Sequence, residues 1–140
     1  MPLTFSISRY RKPDAGGIQA ISPEFSEEYA GILRRGTIFV ARSAERVLGF
    51  LFVKWVDGRT YYDVDVRCSA EIMEAHVDRR FRNQGVATAL VAHAIRAARR
   101  RGCKAVYLET DDFNRPARRV YDRSGFRYHN LIIRYKRTLR

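Results

Sequence analysis

The feature that most constrains this chain is a strand, glycine, helix, glycine, strand succession in its second half. Residues 71–77 alternate as a strand does, and residues 85–101 carry Leu90, Ala94, Ile95 and Ala97 on one helical face with Thr88, Ala92, Arg96 and Arg100 on the other. Gly102 is a natural helix stop, and residues 105–109, with Val106, Tyr107 and Leu108, read as a second strand. A connection of this length cannot be a hairpin. The two strands are therefore expected to lie parallel, joined by a right-handed crossover.

The flanking segments supply further strands and helices. Residues 5–10 alternate Phe5, Ile7 and Arg9 with Ser6, Ser8 and Tyr10, and residues 37–41 and 47–56 are strand candidates joined by the polar turn 42–46, most economically a hairpin. Residues 15–35 show helical spacing broken at Ser22-Pro23, which predicts a short helix, a turn and a second helix ending near Gly36. Residues 61–77 are expected to hold one long strand or two shorter ones. Asn114 is placed to cap a helix with Pro116 in its first turn and Ala117, Val120, Tyr121 and Ser124 along one face; Gly125 ends it, and residues 131–139 read as a final strand. The expected fold class is α/β, in the sense of an α+β mixed sheet, as a single domain over residues 1–140. A chain of this length can bury roughly two thirds of its unfolded surface.

Other classes find little support. No apolar run approaches the ~18 residues of a membrane span. The first twelve residues lack the apolar stretch and cleavage site of a signal peptide, so a cytoplasmic location with no membrane partner is expected. Cys68 and Cys103 are far apart in sequence and show no C-x-x-C spacing; they read as reduced structural thiols, with neither a zinc site nor a redox pair suggested. The three histidines show no ligand spacing, and no metal is expected.

Charge is distributed unevenly. The net charge is +12, and residues 79–140 hold 17 of the 27 basic side chains but 4 of the 15 acidic ones. Such an excess points to an anionic partner, either a nucleic acid or a phosphorylated cofactor. Within this half, Arg82-Asn83-Gln84-Gly85-Val86-Ala87, followed by Thr88, sits between the first strand and the helix. Gly85 lets a ligand approach the backbone, and the free N–H groups of the first turn point outward beside the positive helix end, which makes a phosphate cradle. Arg79, Arg80 and Arg82 could add charge-assisted bonds. The Lys-Ser/Thr of a P-loop and the G-x-G-x-x-G of a dinucleotide fold are absent. Taken alone, a glycine before a helix is more often a plain turn.

A second motif follows in Asn114-Arg115-Pro116-Ala117-Arg118-Arg119-Val120-Tyr121-Asp122-Arg123-Ser124-Gly125-Phe126. With both motifs in this order, the chain resembles the GNAT superfamily of N-acetyltransferases, whose phosphate motif is Arg/Gln-x-x-Gly-x-Gly/Ala and whose next motif is Asn-x-x-Ala-x-x-x-Tyr-x-x-x-Gly-Phe. The resemblance covers residues 69–126 by motif and the first half by element order. It implies a mostly antiparallel central sheet whose parallel fourth and fifth strands splay around acetyl-CoA, with flanking helices and direct transfer of the acetyl group to an amine. It further implies that the pyrophosphate meets the backbone of Arg82, Asn83, Gln84, Gly85, Val86, Ala87 and Thr88. Backbone groups of Ala75 and Val77 would hold the thioester and pantetheine, Asn114 would bond the pantetheine arm, and Tyr121 would be the general acid at the cofactor.

By the same resemblance, Glu71 and Glu109 are candidate general bases, and Glu74 is a third. Strand alternation predicts Glu71 with Met73 and Ala75 on one face and Glu74 with Ile72 and His76 on the other, so the two glutamates are not expected to act together. His76 reads as a packed or surface histidine. Read without the family, such a carboxylate is more often a solvated or salt-bridged group, and a tyrosine in the position of Tyr121 more often a core residue. Two other classes remain open: acetylation of an RNA-borne amine such as aminoacyl-tRNA, and a non-catalytic CoA- or nucleic-acid-binding module, for which only the basic half speaks. A small-molecule or peptide amine is the favoured acceptor, because Glu71, Glu74, Glu109, Asp111 and Asp112 cluster on or just after the two strands expected to splay.

Overall fold

The structure is a computed structural model that describes residues 2–26, 36–44, 46–58 and 68–139. In chain order it contains β1 (Ser6–Arg9), a 3-10 turn (Lys12–Asp14), α1 (Ala15–Ile21), β2 (Gly36–Ser43), β3 (Arg46–Val56), β4 (Ser69–Val77), a second 3-10 turn (Arg79–Phe81), α2 (Val86–Arg100), β5 (Ala105–Tyr107) and α3 (Arg115–Arg123). The strands form one sheet in sequence order, antiparallel from β1 to β4 and parallel between β4 and β5. This is the mixed sheet that the strand, helix, strand succession predicts. Among the described residues, no helix is long and apolar enough to cross a membrane.

The central strand explains its own sequence. β3 is buried on both faces, which is why Val47 to Val53 is an unbroken apolar and glycine run rather than an alternating one. One face packs Leu51, Val53 and Trp55 with Ile72 of β4 against Val86, Leu90, Val91 and Ala94 of α2. The other packs Phe50 and Phe52 with Ile38 and Val40 of β2 against Ile18 of α1 and Phe25. Each fully buried side chain of this size contributes about 1.5–3 kcal/mol. Gly49 lies opposite Val77, and a Cβ there would sit 2.7 Å from the His76 carbonyl oxygen. The close pairing of β3 with β4 at the end that β5 does not reach depends on this glycine.

Several expectations need correction. β2 runs on to Ser43, because Arg42 is not a turn residue: its guanidinium is drawn into the core by Asp14. β5 stops at Tyr107, which leaves Glu109 beyond the strand. The final strand expected at residues 131–139 does not form. With β5 only three residues long there is no edge of matching length, and Tyr128, Leu131, Ile133 and Tyr135 stand exposed. The second helix expected before Gly36 and the first part of the 61–77 strand lie outside the described residues.

The Arg42–Asp14 pair fastens the first segment to the sheet. Arg42 Nε donates to Asp14 Oδ1 at 2.7 Å, and its terminal nitrogens donate to Asp14 Oδ2, Ser8 Oγ and, at 3.0 Å, the Arg9 carbonyl oxygen. Asp14 also accepts from the Arg11 amide at 2.7 Å. Burial alone would raise the Asp14 carboxyl, but the Arg42 hydrogen bonds, the Arg11 amide and the two guanidinium charges outweigh it and hold it below the usual carboxylate range. A depressed carboxyl stabilises the fold above the unfolded pKa near 3.9 and stops doing so as pH falls through the folded value. Asp14→Ala removes the carboxylate that faces the buried Arg42 guanidinium and is expected to cost about 3 kcal/mol at pH 7. Urea unfolding of both proteins from pH 7 to pH 3 should show that gap narrowing only below about pH 4; a gap that widens in acid would exclude an ionised pair.

Candidate functional site

The site begins where a ladder ends. β4 and β5 share three rungs, Ser69 with Ala105, Ala70 with Val106 and Glu71 with Tyr107, whereas β4 continues to Val77 paired on its other side with β3. Among the described residues, no strand extends the β5 side of β4 beyond Glu71. The β4 backbone from Ile72 to Val77 thus presents an edge that β5 does not cover. Ala75 and Val77 sit on this edge. They, with Leu108 and with Val120 and Tyr121 of α3, form the half-buried rim of the core beneath α2.

A bulge alters what β4 displays. Phe52 pairs with Glu74 but Val53 with Ile72, so Met73 is an extra residue on β4. Ile72 and Ala75 consequently face the same α2-side core, and Met73 is turned out. Glu71, Glu74 and His76 then lie opposite Lys54, Phe52 and Phe50 on the other face. The expectation from strict alternation, which separated Glu71 from Glu74, is overturned by this one residue. The sequence did carry a signal: the apolar side chains Ile72, Ala75 and Val77 are spaced three and then two apart.

At the end of β4 the chain turns into the loop that precedes α2. Asp78 Oδ1 accepts from the Arg80 amide at 2.9 Å, and Arg80 donates from its side chain to Asp78 Oδ2 at 2.8 Å. These Arg80 hydrogen bonds lower the Asp78 carboxyl to about 2. Arg82 Nε donates to the Val77 carbonyl oxygen at 3.2 Å. Two of the three arginines expected to reach a phosphate are therefore engaged in shaping the loop. Asn83 and Gly85 take left-handed backbones at φ 60° and 83°, and a Cβ on Gly85 would meet nothing within 4 Å. The helix ladder starts with the Ala89 amide donating to the Gly85 carbonyl at 3.0 Å. The amides of Val86, Ala87 and Thr88 precede it, so they have no acceptor within the helix. The first turn holds no acidic residue, and Asn83, Gln84, Gly85 and Thr88 are exposed. What results is an open, positively polarised backbone surface beside the β4 edge.

The second motif lies on α3. Asn114 Oδ1 accepts from the Ala117 amide at 3.3 Å as the helix cap, which does not use its side-chain Nδ2 donor. Tyr121 is half-buried, with its ring edge-on to Phe126 at 5.9 Å between centroids. Burial raises its phenol above the usual value and keeps it protonated.

The acids fall into two groups. Glu71 is 8% exposed on the last shared rung, and Glu74 approaches His76 at 3.8 Å while His76 stacks near Phe50 at 5.3 Å. Past the end of β5, Arg134 pairs with Asp111 at 2.8 Å and lies 3.8 Å from Glu109. Arg134 is no part of the expected site; its link to Asp111 spans 23 positions and has no local signature. Among the described residues, no three His, Cys, Asp or Glu side chains group as a metal site would require.

Comparison with known proteins identifies the family and the fold. The family model described as the acetyltransferase (GNAT) family matches residues 7–126. An uncharacterized N-acetyltransferase of Methanocaldococcus jannaschii is 35% identical over 78 residues, which is 56% of this chain and 34% of that protein, so the chain matches about a third of that relative's length. Among solved structures, the aminoglycoside acetyltransferase AAC(6')-Iy, in complex with a bisubstrate analog of CoA, superposes at a TM-score of 0.80 with 19% identity, covering 98% of this chain and 100% of its own. The aminoglycoside antibiotic 6'-N-acetyltransferase of Acinetobacter baumannii superposes at 0.74 with 13% identity, over 97% and 99%. At these identities the structural likeness speaks to the fold. The family match runs from β1 through the Gly125-Phe126 that follows α3, and the chain therefore belongs to the acetyltransferase (GNAT) family.

Proposed function

We propose that this protein, working as one domain, moves the acetyl group of acetyl-CoA directly to the amine of a small cationic molecule or peptide. The observation that carries this reading is the early end of the β4–β5 ladder beside the open amides at the head of α2. The residues fit the co-substrate. Its pyrophosphate matches the backbone from Arg82 to Thr88, and its amide-bearing pantetheine arm can bond the exposed β4 edge at Ala75 and Val77 as another strand would, with Asn114 donating from the far side. When bound, acetyl-CoA supplies an acetyl group already activated as a thioester.

The remaining work is proton handling. Tyr121, held protonated by burial, donates to the departing sulfur. An alkyl amine with a pKa near 10.4 must lose a proton at pH 7, a cost of roughly 4.6 kcal/mol, so acids near the gap matter most for such acceptors. Glu71 is the base on the β4 side, with Glu74 on the same face; Glu109 is the counterpart beyond β5 and, with Asp111, attracts the cationic acceptor. The aminoglycoside-modifying enzymes that share this fold act on polycationic small amines, which supports an acceptor of that kind.

Three outcomes test the reading. Gly85→Asp keeps a residue type that tolerates a left-handed backbone but places a carboxylate against the phosphates. It is expected to abolish CoA binding in calorimetry, and unchanged affinity in a folded variant would refute the phosphate site. Tyr121→Phe should bind CoA normally and lose about 10²- to 10⁴-fold in kcat; equal turnover would make the tyrosine a packing residue only. For the acceptor, Glu71→Gln and Glu109→Gln should each raise its KM or move the alkaline limit of kcat/KM, while charge reversal of Arg118 and Arg119 should leave acceptor kinetics nearly unchanged. Acetylation of an aminoacyl-tRNA that is lost in high salt and in that reversal would overturn the acceptor assignment.

A further inference from the structure

The fold brings the chain's two cysteines together. Cys68 and Cys103 are 35 positions apart in sequence, yet their Sγ atoms lie 3.8 Å apart. Their backbones are fixed as neighbours: the Lys104 amide donates to the Cys68 carbonyl at 2.9 Å, and the Cys103 amide donates to Ala98 at 3.0 Å, closing the end of α2. The two cysteines flank the first rung of the β4–β5 ladder, Ser69 with Ala105, and their sulfurs lie 3.8 Å apart against the ~2.05 Å of a disulfide bond. A side-chain rotation can therefore close the gap. Both thiols are free and half-buried, so a small reagent can reach them. Their position matters more than their proximity: Cys68 directly precedes β4 and Cys103 lies two residues before β5.

We propose that Cys68 and Cys103 form an intrachain disulfide site, closed by exchange with a low-molecular-weight disulfide, that staples the roots of the two strands whose other ends splay. The Cys68 thiolate attacks one sulfur of the reagent, a new S–S bond forms, and the first small thiolate leaves. Cys103 then releases its proton and attacks Cys68 Sγ, displacing nothing but the second small thiolate by way of the Cys68 mixed disulfide. Two protein thiols are oxidised and one reagent disulfide is reduced to two thiols. Burial and the contact with Cys68 push the Cys103 thiol up to about 11, with Asp57 adding and Arg101 opposing, which makes Cys103 a poor first nucleophile. The closed loop takes in β4, the glycine-headed turn and α2. Cross-linking it removes freedom from the unfolded chain and leaves the splayed ends untouched.

The test treats the full chain with oxidised glutathione, counts free thiols in denaturant, maps non-reduced peptides by mass and records Tm before and after reduction. Expected are loss of both thiols together, one peptide pair linked through Cys68 and Cys103, and a Tm higher by roughly 5–10 °C that dithiothreitol reverses. Cys103→Ser should stop at a stable mixed disulfide on Cys68, and Cys68→Ser should react far more slowly. The proposal fails if both thiols survive, if the wild-type chain stops at one bound glutathione, if bridges form only between chains, or if the bridged protein melts no higher than the reduced one.

Discussion

The length of one ladder governs this structure. β4 keeps its pairing with β3 along its whole length but keeps β5 for three rungs only. The last shared rung is at Glu71, and the bulge at Met73 follows at once. A bulge sharpens local twist and breaks regular pairing. Past that point β4 can stay in register with β3 only by leaving the line that β5 follows. The chain after Tyr107 then enters Leu108-Glu109-Thr110-Asp111-Asp112, where successive acidic side chains favour solvent over a continued sheet. A bend on one strand and an acidic exit from the other open the same gap. The backbone groups left along β4 make a natural partner for an extended, amide-bearing ligand.

Electrostatics at the mouth of this gap comes first from backbone and only then from side chains. Arg80 is held by Asp78 and Arg82 by the Val77 carbonyl, so these residues set the path of the loop. The amides they position, beside Gly85 and without an acidic neighbour in the first turn, carry the local attraction for an anion. At the other end of α2, Arg99 and Arg100 complement the negative helix terminus. In the proposed function the excess positive charge of residues 79–140 acts as a broad field that steers the anionic co-substrate, while selectivity resides in the fixed N–H groups.

The parts that were legible in the sequence are those set by local chemistry. Gly85 announces the head of α2, Gly102 its end, Asn114 the cap of α3, and the apolar runs of β2 and β3 the hairpin between them. The parts that were not depend on partners far away in the chain. Arg42 reads as a turn residue until Asp14, 28 positions upstream, is seen to draw it inside. Glu71 and Glu74 read as opposed until pairing with β3 reveals the extra residue. Cys68 and Cys103 read as unrelated because only the crossover of α2 returns the chain to the start of β4. Residues 131–139 have the alternation of a strand, but alternation supplies a tendency and a ladder needs an edge; β5 ends too soon to give one.

Tyr121 shows why packing and chemistry need not compete at one residue. Its ring joins Val120 and Phe126 against the core, the reading that helical spacing alone suggests. That same burial disfavours the phenolate, so the hydroxyl stays protonated across the range in which an enzyme works. In the proposed reaction the proton passes to a thiolate with a pKa resembling ~8.5, so full transfer from a phenol whose ordinary value of ~10 is raised further by burial is uphill by more than roughly 2 kcal/mol. That cost is small beside the barrier of an acyl transfer, and it falls only as negative charge gathers on sulfur. The phenol is thus a weak acid in the resting site and an effective donor where the charge develops. Packing that fixes the ring is what allows a weak acid to suffice, because a donor held in place gives up little orientational freedom at the moment of transfer.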